Sequence, residues 1–202
     1  MVSPKPSFAC ATEYCNHLVK TLAETQISDH AGNSLELDSA VSSVVATLKE
    51  ARNGRSKAMV IGNGGSAAIA AHMQCDLAKG LKVRALTFFD LSFFTATAND
   101  LGVELVFEEP VRLFAEPGDM LFAISSSGQS ENIVRAARQA RAQACQVVTF
   151  SGFASDNPLR SMGQINFYVP VKHYGMVELA HQMLIHCITD LAMCRAEDQL
   201  YG

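Results

Sequence analysis

The sequence predicts an α/β fold built on a doubly wound parallel sheet. Three observations lead there. From residue 57 onward, short apolar runs alternate with helix-like stretches, which argues for a parallel sheet covered on both faces. Glycine- or serine-rich loops follow two of those runs, as they do where ligands bind beyond the carboxyl ends of parallel strands. The 202 residues, 49% hydrophobic and 18% charged, suit one globular domain and lie far from the composition of disordered chains.

Residues 4 to about 53 read as two helices. The second has Leu35, Leu37, Val41, Val44, Val45 and Leu48 at helical spacing, start signals at Asp38 and Ser39, and a stop at Asn53-Gly54. Residues 29–33, with Gly32, form the expected turn between the helices. The apolar stripe exceeds what one layer over a sheet needs, so packing between subunits is its expected use. Residues 1–54 thus read as a helical extension of a single domain.

The first strand is expected at 57–62 (KAMVIG), with a helix from about 67 to 79. Residues 83–89 read as the second strand, followed by helical stretches near 91–98 and 104–115. The third strand is expected at 120–124, with a helix at 131–143. Residues 146–150 and 166–169 complete five strands, and 175–195 is a long final helix. Consecutive parallel strands need right-handed crossovers, which makes the sheet doubly wound.

Composition excludes several classes. Sixteen Lys and Arg against twenty Asp and Glu give a net charge of −4, so charge does not suggest a broad nucleic-acid surface. The apolar runs are too short for a membrane span, and the first residues lack the apolar core of a secretory signal. The six cysteines form no CxxC pair. Cys75, Cys145, Cys187 and Cys194 fall in apolar segments and read as reduced, buried thiols, which makes the cytoplasm the expected compartment.

Two loops have chemistry suited to phosphate. Gly62-Asn63-Gly64-Gly65-Ser66 combines conformational freedom with a helix starting at about Ser66, whose free N–H groups point into the same crevice. It lacks the Gly-Lys-Ser/Thr ending of a P-loop, and a tight turn capped by Ser66 is the alternative. Ser125-Ser126-Ser127-Gly128-Gln129-Ser130 puts four hydroxyls at a helix N-terminus, more than capping requires. With no nearby lysine or magnesium motif, it suggests a stable phosphate ester held as a handle rather than phosphoryl transfer.

A third group lies on two helices. His72 and Asp76 are four residues apart and share a face. Glu178 and His181 share a face of the final helix, and His186 lies further along it. His72, Asp76, Glu178 and His186 could bind one divalent metal, or supply an acid and a base. A core histidine with solvated acids is the alternative.

Together these features resemble the sugar isomerase (SIS) domain family. The resemblance is carried by GNGGS, the following helix with His72 and an acid four residues on, Ala98-Asn99-Asp100, the stretch GDMLFAISSSGQSENIVRAARQARAQACQVVTFSG and the histidine-bearing final helix. It covers about residue 35 to the end, and the His72 and His186 positions resemble the phosphoheptose isomerase branch. The resemblance implies a three-layer α/β/α sandwich with a five-stranded parallel sheet. It also implies a homotetramer with active sites shared between subunits, and zinc at His72, Asp76, Glu178 and His186. The substrate's phosphate would fall to Ser125, Ser126, Ser127 and Ser130, with Asn63, Gly64, Gly65, Ser66 and Asp100 shaping the sugar pocket. The resemblance further implies a base at the Asp76 position and an acid at His186; the residues themselves leave Asp76 and Glu178 both open as the base.

The chain departs from the family in four places. Asp76 stands where Glu is usual, and Glu178 where Gln is usual. Gly175 replaces an Asp and Gly80 an Arg, with Lys79 or Lys82 as possible compensation. The implied activity is aldose–ketose isomerisation of a sugar phosphate, with sedoheptulose 7-phosphate and a heptose 7-phosphate as the expected pair. Two alternatives stand beside it: a SIS enzyme for another phosphorylated or nucleotide-linked sugar, and a non-catalytic SIS module binding a sugar phosphate or a protein such as a replication initiator.

Overall fold

A computed structural model describes residues 8–197. The start of the first expected helix, residues 4–7, lies outside the described residues. The chain runs α1 (Ala11–Ala23), β1 (Gln26–Asp29), α2 (Leu37–Gly54), β2 (Lys57–Gly62), α3 (Gly65–Lys79), β3 (Arg84–Leu86), α4 (Leu91–Asp100), α5 (Glu108–Phe114), β4 (Met120–Ser125), α6 (Glu131–Ala142), β5 (Gln146–Gly152), β6 (Ile165–Val169) and α7 (Tyr174–Glu197), with short 3-10 turns at Val103–Leu105 and Pro158–Ser161.

The sheet order is β1-β6-β5-β4-β2-β3. Strands β2 to β6 are parallel, and their order is that of the flavodoxin-like doubly wound sheet. Successive residues of each strand feed opposite layers. Ala58 and Val60 of β2, with Phe122 and Ile124 of β4, pack against Val44 and Leu48 of α2, Met73 and Leu77 of α3, and Ile185 and Ile188 of α7. Met59, Ile61, Leu121 and Ala123 face Phe107, Val111 of α5, and Ile133 and Ala137 of α6. Burial on both faces explains why these strands are continuous apolar runs.

The sheet has six strands rather than the expected five. The sixth, β1, pairs antiparallel with β6. It carries one buried apolar side chain, Ile27, and is held largely by polar groups. Asn166 Nδ2 donates to the Ser28 and Asp29 carbonyls at 3.3 and 3.2 Å. The Asp29 carboxylate accepts the Ala31 and Asn33 N–H groups, each at 2.9 Å, and so closes the expected turn. That turn follows a strand, not a helix.

Other differences are local. The stripe of α2 is consumed within the chain, where Val41, Val44, Val45 and Leu48 are buried in the core, so it is not left for subunit packing. Helix α2 runs through Gly54, and Arg55 adopts the left-handed conformation after it. Strand β3 has three residues where seven are expected, because only Arg84–Leu86 pair with β2. Of the four cysteines expected to be buried, Cys145 is buried, Cys187 is half-buried, and Cys75 of α3 and Cys194 of α7 are exposed. Burial raises the Cys145 thiol pKa to about 11.

An ion cluster fastens the amino ends of the central strands β2 and β4, away from the loops described below. Lys57 Nζ lies 2.6 Å from Asp119 Oδ2 and 2.8 Å from Glu116 Oε2. Asp119 also accepts the backbone N–H groups of Lys57 and Glu116, so the buried charges are fully partnered. No described helix is long and apolar enough to cross a membrane.

Candidate active site

The glycine and serine loops leave adjacent strands at the point where strand order reverses. Gly62 of β2 pairs with Ile124 of β4, so the loops that follow are neighbours. Gly64 has φ +54° and precedes α3 directly. That left-handed turn starts the helix at Gly65, ahead of the expected position, and puts Ser66 inside it. Neither α3 nor α6 has a side-chain cap, so Ser66 and the serines are not used as the alternative readings had them.

The two loops line one cavity of about 220 Å³. Asn63, Gly64, Gly65 and Ser66 contribute from one loop, and Ser125, Ser126, Ser127 and Ser130 from the other. Ser125 Oγ donates to Ser130 Oγ at 3.2 Å, and Ser127 Oγ accepts the Gln129 N–H at 3.2 Å. Ser126 Oγ is buried and has no partner among the described residues. Reciprocal amide bonds of 2.9 and 3.0 Å join Asn63 to Asn132 and tie the glycine loop to α6.

Helix α7 closes the cavity with Tyr174 and Glu178. A β-carbon on Gly65 would lie 2.5 Å from Glu178 Oε2, so glycine there admits the carboxylate to the start of α3. Burial raises the Glu178 pKa from its ordinary value. The aligned N–H groups of α3 favour negative charge at that point and oppose the shift.

His72, Asp76 and His186 meet further along the same α3–α7 seam. Asp76 Oδ2 lies 3.4 Å from His72 Nε2 and 3.8 Å from His186 Nδ1. The two rings are edge to face with centroids 4.9 Å apart. One donor atom from each residue falls within 4.8 Å of the others. Two imidazole nitrogens and a carboxylate oxygen suit a borderline divalent cation and leave room for further ligands.

Glu178, the fourth residue expected in this group, is not among the three. It precedes His186 by eight residues, a rise of roughly 12 Å along α7, and its carboxylate points to Gly65. The seam therefore carries two polar stations. The cavity with the serine loop and Glu178 is one, and the imidazole cluster is the other.

Asp100, the last residue of α4, is exposed and accepts a 2.7 Å bond from Asn99 Nδ2; it does not line the cavity. His181 is a core histidine. It is fully buried, its Nε2 is 3.1 Å from the Ser151 carbonyl, and burial lowers its pKa to about 4. Gly80 packs under Met193, and Lys82 Nζ donates to the Lys79 carbonyl at 2.8 Å. Tyr174 and Asn132 are site residues with no clear signal in sequence. Only the four-residue spacing of Tyr174 from Glu178 hints at a shared face.

Comparison with known proteins agrees with this architecture. A model of the SIS domain matches residues 13–152. The phosphoheptose isomerase of Helicobacter hepaticus is 33% identical over 183 residues, covering 86% of this chain and 92% of that protein. That of Geobacter sp. (strain M21) is 33% identical over 162 residues, covering 77% and 84%. Solved phosphoheptose isomerases from Neisseria gonorrhoeae and Francisella tularensis share the fold, with TM-scores of 0.75 and 0.76 at 24% identity. Each comparison covers 90% of this chain and 95% of the other.

Proposed function

The chain belongs to the SIS domain family, and from that premise we propose that it is an aldose–ketose isomerase interconverting sedoheptulose 7-phosphate and a heptose 7-phosphate. The observation that carries this reading is the Ser126 hydroxyl, buried in the serine loop with no partner among the described residues. A buried polar group without a partner costs about 1–3 kcal/mol. A phosphate oxygen seated in the loop would satisfy it. The other serines and the uncapped starts of α3 and α6 suit the same anion.

The two stations also suit the substrate. In a heptose 7-phosphate the ester and the reacting carbons are at opposite ends of the chain. With the ester in the serine loop, the reacting carbons reach toward His72, Asp76 and His186. Binding the remote phosphate then holds them in place for proton transfer. Isomerisation moves a proton between neighbouring carbons through an ene-diol. Asp76, beside the imidazoles, takes the proton from the carbon next to the carbonyl and returns it to its neighbour. His186 supplies a proton to the carbonyl oxygen and then takes one from the neighbouring hydroxyl, so that the ene-diol closes to the new carbonyl. Glu178, the other carboxylate considered as base, lines the phosphate end.

His72, Asp76 and His186 are the residues that would hold zinc. When bound, that ion supplies Lewis-acid polarisation of the sugar oxygens. We further propose a homotetramer with shared sites. Asp100 stands off the cavity of its own chain, beside exposed Leu101 and Val103 and on a helix with exposed Leu91 and Phe93. Apolar surface of this kind marks interaction sites. Free thiols suit a cytoplasmic protein.

The test is incubation of the purified, metal-loaded protein with sedoheptulose 7-phosphate, followed by NMR. Appearance of the aldose 7-phosphate supports the proposal, and an unchanged spectrum refutes it. A second reading, another phosphorylated sugar, is favoured by the carboxylate of Glu178 inside the cavity. Turnover of a different ketose phosphate in the same assay would establish it.

A further inference from the structure

The phosphate handle accounts for only part of the cavity. Its volume of about 220 Å³ equals roughly seven waters' share of liquid, more than one phosphate group fills. The remainder is bounded by Tyr174 and Glu178 of α7. Four residues separate them, so they stand one turn apart on one face.

Both side chains are polar and unengaged. Neither the Tyr174 hydroxyl nor the Glu178 carboxylate has a hydrogen bond or ion pair among the described residues. Packing nonetheless positions the Tyr174 ring and the start of α7. The Tyr174 ring packs edge to face on Phe153, with centroids 4.8 Å apart and planes at 71°. The start of α7 is held by the 3.2 Å bond from the Met176 N–H to His173 Nδ1. The Glu178 carboxylate extends into the space that Gly65 leaves.

An ionised carboxylate only accepts hydrogen bonds, whereas a phenol both donates and accepts. Side by side, they match neighbouring hydroxyls: one donates to the carboxylate and the next accepts from the phenol. A deoxy or alkyl ester would leave both protein groups unpaired on binding, which is how such sites discriminate. We infer that Tyr174 and Glu178 form a hydroxyl-reading subsite that selects phosphate monoesters bearing hydroxyls on the carbons next to the ester, with Tyr174 as a specificity-determining residue. This rests on the phosphate reading of the serine loop and names what that site takes besides phosphate.

The experiment is calorimetric titration of the full-length, metal-loaded protein with inorganic phosphate, propyl phosphate and glycerol 3-phosphate, comparing the native chain with Tyr174→Phe. That variant keeps the ring on Phe153 and removes the hydroxyl. Glycerol 3-phosphate should bind the native chain at least tenfold more tightly than propyl phosphate. Tyr174→Phe should cut that preference severalfold while leaving the other two affinities unchanged. With sedoheptulose 7-phosphate the variant should raise KM and leave kcat near native. A native preference of one, or a preference untouched in Tyr174→Phe, overturns the subsite while leaving the phosphate handle standing. Failure of all three probes to bind overturns the handle and the subsite together.

Discussion

The Glu178 carboxylate occupies the space that a β-carbon on Gly65 would need, with Oε2 only 2.5 Å from that point. A glycine in the first turn of α3 and an acid on α7 are therefore one structural unit. Gly65→Ala should force the carboxylate to swing out of the cavity. Because Glu178 is flexible and alanine favours helix, the change in stability should be about 1 kcal/mol or less. Affinity for glycerol 3-phosphate should nevertheless fall about tenfold. A denaturation curve and a titration on the same sample check both halves, and native affinity would show that Glu178 does not need that space.

Ser126→Ala should separate stability from binding. Its hydroxyl is buried and unpartnered among the described residues, so its removal should raise the stability of the ligand-free protein by about 1 kcal/mol. The same change should weaken inorganic phosphate binding and raise KM for the sugar phosphate. Urea unfolding without ligand measures the first effect and calorimetry the second. A stability loss would place the hydroxyl in a bond within the fold.

His72→Ala and His186→Ala should each cost at least a hundredfold in turnover while the fold survives, since the His72 side chain is exposed and that of His186 is half-buried rather than part of the core. Elemental analysis of the purified variants should show less bound transition metal than in the native protein. Native metal content together with native turnover would remove the imidazole cluster from the reaction.

Stability should fall as pH drops through the window set by His181. Its pKa is lowered to about 4 in the fold, against the ordinary 6.5 of an unfolded histidine. Between these values the unfolded chain binds the extra proton, so stability rises with pH across the window and is lost on acidification. The full effect is on the order of 3 kcal/mol. Urea midpoints measured from pH 7 to pH 4.5 should flatten in His181→Gln relative to native. Equal slopes would assign the acid sensitivity to other groups.

The legible parts of the fold were those where the side-chain pattern is itself the cause. Strand β2 matches its expected span, and β4 differs by one residue, because both are buried on two faces and end at glycine or serine. Strand β1 has one buried apolar side chain, Ile27, and is held through Asn166 and Asp29, so it left no run to read. The two loops could be read from composition. The orientation of Glu178 could not, because spacing fixes a helix face and not the rotamer that sends the carboxylate to Gly65. The lining role of Tyr174 depends on where α7 begins relative to β4, a tertiary relationship that no local pattern encodes.

The pairing of Gly62 with Ile124 sets the two loops one strand spacing apart, and the sheet, buried on both sides, does not stretch. Under the proposed reading, a phosphate seated in the serine stretch rests on a floor that does not move, and the adjustable wall beside it is the helical one at 174 and 178.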